Sequence, residues 1–161
     1  MSSILEFCDG LPKEGFDAGE ILLTEGETSG KLFILIDGQV EILKGDYIVN
    51  VVSEPGAIFG EISVLLGMPH MATVRATEKT RLYCADANEG FLRDRSEITF
   101  HLSKMLAQRL QGVTSYLVDL KRQFEDRDNH LEMVDEVLES LVNQQVEEFI
   151  PGSDRDPDVT L

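Results

Sequence analysis

Apolar residues in the first hundred positions come in short runs broken by glycine and acid. Ile21-Leu22-Leu23 is followed by Glu25-Gly26-Glu27, and Leu32 to Ile36 by Asp37-Gly38. Val40 to Leu43 leads into Gly45-Asp46, and Tyr47 to Val52 into Pro55-Gly56. Many short runs of this kind, bounded by turn formers at near-regular spacing, predict the strands of a sandwich or barrel. Asp37-Gly38, between two apolar runs, predicts a tight hairpin, because glycine tolerates the positive φ that such a turn needs. Residues 59–70 interrupt the pattern: Gly60 to Leu66 reads as one or two helical turns, stopped by Gly67 and Pro69. Strands resume at Ala72 to Ala76 and Thr80 to Cys84, and Glu89 to Leu92 predicts a short helix. Residues 1 to 14 read as a short, weakly helical lead-in ending near Gly10 and Pro12.

From about Glu97 the period becomes helical. Placing Leu110, Leu117, Phe124, Leu131 and Leu138 at position a of a heptad puts Val113, Leu120, Val134 and Leu141 at d, with Arg127 the one intruder. Sustained spacing of three and four predicts a coiled coil, and a helix this long needs a partner for its stripe, most simply a second copy. The expectation is a continuous helix over 101–148 that forms a homodimer. The alternative is a hairpin turning near Asp126 to Asn129, where Asn129 and Glu132 fit a capping box. The expected organisation is therefore a β-roll with its N-terminal helix over 1–100, the helix over 101–148, and a disordered acidic tail over 149–161 around Pro151-Gly152 and Asp156-Pro157.

Charge narrows the partners. The chain has 161 residues with 30 acids against 14 bases, a formal net charge of −16. Such a chain repels phosphate backbones, so no nucleic-acid partner is expected. From Gly112 onward there are 13 acids and 4 bases, which makes the C-terminal third a strongly solvated element. Composition is 42% hydrophobic with no Trp, so the core should be aliphatic. No apolar run approaches membrane-spanning length and the N-terminus lacks a basic signal-like segment, so a soluble cytoplasmic protein without membrane contact is expected. Cys8 and Cys84 lack CxxC or histidine companions. Buried reduced thiols are expected, and the pair leaves a disulfide open. No kinase or P-loop glycine motif, HxxxH pair or nucleophile with a base at a known spacing occurs, and no loop has EF-hand order. Catalytic residues, metal and cofactor are therefore all expected to be none.

The chemistry concentrates in residues 59–76, from Phe59-Gly60-Glu61-Ile62-Ser63 to Pro69-His70-Met71-Ala72-Thr73-Val74-Arg75-Ala76. Gly60 opens a short helix, so the N–H groups of Glu61 to Ser63 can face an anion, and glycine lets that anion come close. Glu61 offers an acceptor for sugar hydroxyls at the same mouth. His70 stands where a cation would close on a phosphate. Spacing alone favours the plainer reading, a surface helix with an ordinary acid.

This segment resembles the phosphate-binding cassette of cyclic-nucleotide-binding domains, as in protein kinase A regulatory subunits and the catabolite activator family. The family pattern is F-G-E-x-A-L, about five residues, then P-R-A-A-T-V. Phe59, Gly60, Glu61, Pro69, Ala72, Thr73 and Val74 match it without insertion or deletion. Upstream, Gly19-Glu20, Glu25-Gly26, Leu32 to Leu35, Gly38, Val40 and Pro55-Gly56 fall where the family has its strands and structural glycines, so the resemblance covers about residues 14 to 125. It implies a mainly β fold: a jelly-roll-like double-stranded β-helix, an eight-stranded β-roll with flanking helices and a long C-terminal α-helix. It implies that Gly60, Ile62 and Ser63 donate from the backbone, that Glu61 accepts the ribose 2′-hydroxyl, and that His70, Met71, Ala72 and Thr73 line the phosphate end. Thr114 and Ser115 are weaker candidates for contact with the base, since Gly112 shifts the register by one.

Two departures bear on function. The family's phosphate-binding Arg corresponds to His70, and the following residue, usually small or hydroxylated, is Met71. Arg brings a fixed fork and a permanent charge, whereas His is mostly neutral at pH 7. The resulting expectation is a non-enzymatic regulatory module with weakened or altered binding of cAMP or cGMP. A degenerate domain kept as a dimeric scaffold for a protein target is the alternative. A different ligand, including an anion bound by protonated His70, is also open. A catabolite-activator-type transcription regulator is a third reading, for which the chain after the helix leaves no room for a helix-turn-helix.

Overall fold

The computed structural model describes residues 3–87, 89–124 and 128–143. The chain divides into two compact units, Met1–Leu102 and Ser103–Leu161. The first opens with a 3-10 helix, Ile4–Phe7, and holds eight strands: β1 Lys13–Phe16, β2 Ile21–Leu23, β3 Lys31–Asp37, β4 Val40–Lys44, β5 Tyr47–Val52, β6 Ile58–Phe59, β7 Thr73–Ala76 and β8 Thr80–Asp86. Helix α1, Glu61–Leu66, lies between β6 and β7, and α2, Glu89–Asp94, follows β8.

The strands form two antiparallel sheets, ordered β1-β8-β3-β6 and β2-β7-β4-β5. Between them sits an apolar core that mixes aliphatic side chains with phenylalanine. Phe33, Leu35, Phe59, Leu82 and Cys84 come from one sheet, and Leu22, Leu23, Val40, Val74 and Ala76 from the other. Strand side chains alternate between faces. Leu32 and Ile34 therefore point away from that cluster, yet each is only 1% exposed. β3 is covered on both faces, which is why its sequence reads as an unbroken apolar run.

The expected hairpin at Asp37-Gly38 is corrected. β3 and β4 do not pair; they belong to different sheets. Gly38 has a φ of 101° and turns the corner between them. A Cβ on it would lie 2.4 Å from Oγ1 and 2.5 Å from Cα of Thr80. Close approach to Thr80, not a two-residue turn, requires glycine there. The hairpin lies one connection later, where Lys44 pairs with Tyr47 across Gly45-Asp46.

The continuous helix over 101–148 is also corrected. The structure has α3, Ser96–Gln123, and a separate α4, Asp128–Asn143. The Lys121 ammonium pairs with the Asp135 carboxylate. Fourteen positions on one helix would separate these residues by about 21 Å, so the chain reverses between them, as in the hairpin alternative. Leu117, Leu120, Val134, Leu138 and Leu141 are half-buried, while Leu110, Val113 and Phe124 are 45%, 51% and 38% exposed. The Leu131 side chain, Arg127, residues 144–148 and the acidic segment 149–161 lie outside the described residues. Among the described residues, no helix is long and apolar enough to cross a membrane, and no group of three or more His, Cys, Asp or Glu could hold a metal. Cys8 and Cys84 are buried free thiols.

Candidate functional site

β6 delivers the chain to Gly60, whose φ is 90°. A Cβ there would meet the backbone oxygen of Lys31 at 2.4 Å. Both the conformation and the lack of space demand glycine, and they seat the start of α1 on the first residue of β3. The first intrahelical bond is Val64 N–H to Gly60 O at 3.2 Å. The N–H groups of Glu61, Ile62 and Ser63 therefore precede the helical ladder. The side chains of Glu61 and Ser63 are buried, at 5% and 7% exposure, while Ile62 is half-buried. The Ser63 hydroxyl donates to Met68 O and so closes the loop after α1, where Gly67 caps the helix with its N–H on Ser63 O. Among the described residues, no buried side-chain nitrogen or oxygen lacks a partner.

The second half of the segment is held by the loop after β2. Gly26 N–H donates to His70 O and His70 N–H to Glu27 O, each at 2.9 Å. Glu25 N–H donates to Thr73 Oγ1 at 3.0 Å. The His70 ring is only 5% exposed, and its Nε2 lies 2.8 Å from the Ser29 hydroxyl oxygen. Burial pushes the imidazole pKa below its ordinary value, against a smaller upward pull from the Glu27 carboxylate. His70 is thus a buried, hydrogen-bonded ring whose surroundings disfavour its charged form. Met71 is 49% exposed and Ala72 half-buried.

The structure joins the two halves of the segment through residues 29–31. Gly60 rests on Lys31, Lys31 N–H donates to Ser29 Oγ at 3.3 Å, and Ser29 meets His70. Sequence reasoning missed Ser29, and it missed Lys44, whose Nζ donates to Met71 O at 2.8 Å. Both pairings are distant in sequence, so no local spacing announces them. Thr114 and Ser115 lie on α3 in the second unit; the Thr114 hydroxyl donates to Leu110 O at 2.8 Å, and Ser115 is exposed.

Residues 13–92 match the family model of the cyclic nucleotide-binding domain. The β-roll is a cyclic nucleotide-binding domain. Among proteins of known role, the chain is 29% identical over 125 residues to a CRP-like cAMP-activated global transcriptional regulator of Mycobacterium tuberculosis, covering 74% of this chain and 56% of that one. It is 36% identical over 76 residues to a cAMP-dependent protein kinase regulatory subunit of Yarrowia lipolytica, covering 47% of this chain and 20% of that one. The chain thus spans about half the length of the first relative and a fifth of the second. The domain's fold is shared with the Thermus thermophilus catabolite activator protein, at a TM-score of 0.61 and 22% identity over 73% of this chain and 58% of that one.

Proposed function

We propose that this cyclic nucleotide-binding domain is a non-enzymatic regulatory module that binds cAMP or cGMP, more weakly than relatives with arginine at the position of His70. The observation that carries the reading is Gly60. Its left-handed backbone, with no room for a Cβ against Lys31 O, sets the N–H groups of Glu61 to Ser63 at the helix start, ahead of the first intrahelical bond. Glu61 stands beside them as the ribose acceptor. A hydrogen bond to a charged group is worth roughly 1.5–3 kcal/mol, so a neutral imidazole in place of a guanidinium lowers affinity roughly 10- to 150-fold. Cytoplasmic placement agrees with two free, buried thiols.

Calorimetric titration of cAMP and cGMP into the purified chain and into His70→Arg tests the reading. Weak binding by the native chain supports it. Absence of binding by both proteins overturns it.

One observation favours a second reading, a domain kept as a dimeric scaffold for a protein target. Leu110, Val113 and Tyr116 leave an apolar stretch of α3 exposed at 45%, 51% and 65%. A second copy of the hairpin would cover it. Sedimentation as a monomer at high micromolar concentration would remove this reading. A role as a transcription regulator is disfavoured by the net charge of −16, which opposes a nucleic-acid backbone.

A further inference from the structure

The His70 imidazole is buried and engaged with Ser29, and its burial disfavours the charged form. A phosphate at this end of the segment therefore needs its positive charge from elsewhere. Arg75 is committed to Glu41, with its Nε 2.7 Å from Oε1 in a pair that is largely buried on the carboxylate side. Arg81 is paired with Asp37. Lys44 differs. It ends β4 at the Gly45-Asp46 turn, and its Nζ lies 2.8 Å from Met71 O, on the residue directly after His70. Its side chain is 59% exposed, and its carboxylate neighbour, Glu25 Oε2, is 3.9 Å away. The other Glu25 oxygen accepts the Gly45 N–H at 2.9 Å, which fixes that carboxylate beside the turn.

The ammonium is thus stationed on the segment by a neutral carbonyl and one long ion pair. Lysine carries three donors on a flexible stem. Exchanging a carbonyl for a phosphate oxygen adds an ionised acceptor to a donor that is already charged, which strengthens the bond by direct attraction between opposite charges. Glu25 works in the opposite sense, since its charge repels an arriving anion.

We propose that Lys44, not residue 70, supplies the cation that closes the site on the ligand's phosphate, with Glu25 as its competitor. The inference rests on the cyclic-nucleotide reading above. It gives the β4–β5 hairpin a part in binding, because Lys44 and Gly45 move with it. It also gives binding a salt dependence that a buried, neutral histidine would not produce.

The test is titration of cAMP and cGMP into the full chain and into Lys44→Gln, Lys44→Arg and Glu25→Gln, at low and high salt. Lys44→Gln is expected to weaken binding about tenfold or more, Lys44→Arg to retain it, and Glu25→Gln to tighten it. Because Lys44 is exposed, the variant should fold as the native chain does, and Glu25→Gln reads the same charge with opposite sign. Lys44→Gln and Glu25→Gln both binding like the native chain would overturn the Lys44 assignment and leave the cyclic-nucleotide reading in place. No binding by the native chain or by His70→Arg would overturn both.

Discussion

The imidazole Nε2 of His70 sits 2.8 Å from the hydroxyl of Ser29, on a ring that is almost wholly buried. The same hydroxyl accepts the N–H of Lys31, whose carbonyl bounds Gly60. One serine therefore ties the end of the 59–76 segment to its beginning. The His70 ring is part of the framework that holds this segment together, and its burial disfavours the charged form. On the reading proposed above, Gly60 sets the shape of the cradle while its positive charge comes from another side chain.

Removing that tie has a definite cost. Ser29→Ala leaves Nε2 of a buried ring without its partner, and an unsatisfied buried polar atom costs about 1–3 kcal/mol. Urea unfolding of the variant should show a loss of that size at unchanged m-value. A loss below about 0.5 kcal/mol would mean that the bond contributes little.

The His70 titration sets a pH dependence. Its folded pKa lies below the ordinary 6.5, with burial as the main cause. As pH falls through that value, the unfolded chain takes up a proton that the folded chain refuses, so this group makes folding less favourable toward acid. The stability it lends is present above the ordinary histidine range and declines below it. Any gain in nucleotide affinity between pH 8 and pH 6 should accordingly be smaller than an exposed histidine at this position would give. Tighter binding at pH 6 that disappears in His70→Asn would show instead that a protonated ring holds the anion.

Gly60→Ala should be the most damaging single change in the segment. The left-handed conformation costs a non-glycine residue about 1–2 kcal/mol. In addition, the new Cβ would lie 2.4 Å from backbone, which cannot rotate away. A loss of at least 2 kcal/mol is expected, together with loss of nucleotide binding in whatever fraction remains folded. Unchanged thermal stability and binding would contradict the placement of Gly60 against Lys31.

Much of this was legible in the residues themselves. Gly60-Glu61 and the short apolar runs carried the roll, because strand period and turn chemistry are local signals. The pattern at Asp37-Gly38 was legible as a glycine-requiring corner but not as a change of sheet. Turn residues fix the local φ; they do not say which strand will be the neighbour. The His70–Ser29 and Lys44–Met71 pairs were not legible at all, since they join groups 41 and 27 positions apart, the second through a backbone carbonyl. The helix reversal after Gln123 was legible only as the alternative to a continuous helix, for a different reason: a heptad stripe folded back on itself has the same period as one shared with a second chain.

The two thiols should be inert. Burial pushes Cys8 and Cys84 each up to about 11, so at pH 8 only about one in a thousand is thiolate, the reactive form. An aromatic disulfide reagent should modify the native chain only at the rate at which it opens, and both thiols at once in denaturant. Rapid modification of one of them in the native chain would place that cysteine nearer to solvent than the core allows.

That inertness makes the second unit measurable by spin labelling, with cysteines introduced at Lys121 and Asp135 and the native pair left untouched. The ion pair between these side chains requires the chain to reverse between them, which brings the two positions within reach of one lysine and one aspartate side chain. A continuous helix would hold the same positions about 21 Å apart along its axis. Losing the pair itself should matter little, since both partners are about half exposed and such bridges are worth about 1 kcal/mol or less. The labelled chain should therefore keep its fold and report short distances. A single population near the longer value would restore the uninterrupted helix, and with it a seam running through Leu117, Leu120 and Leu138 that only a second chain could cover. A concentration-dependent mixture of the two would mean that the stripe closes on itself in the monomer and on a partner in the dimer.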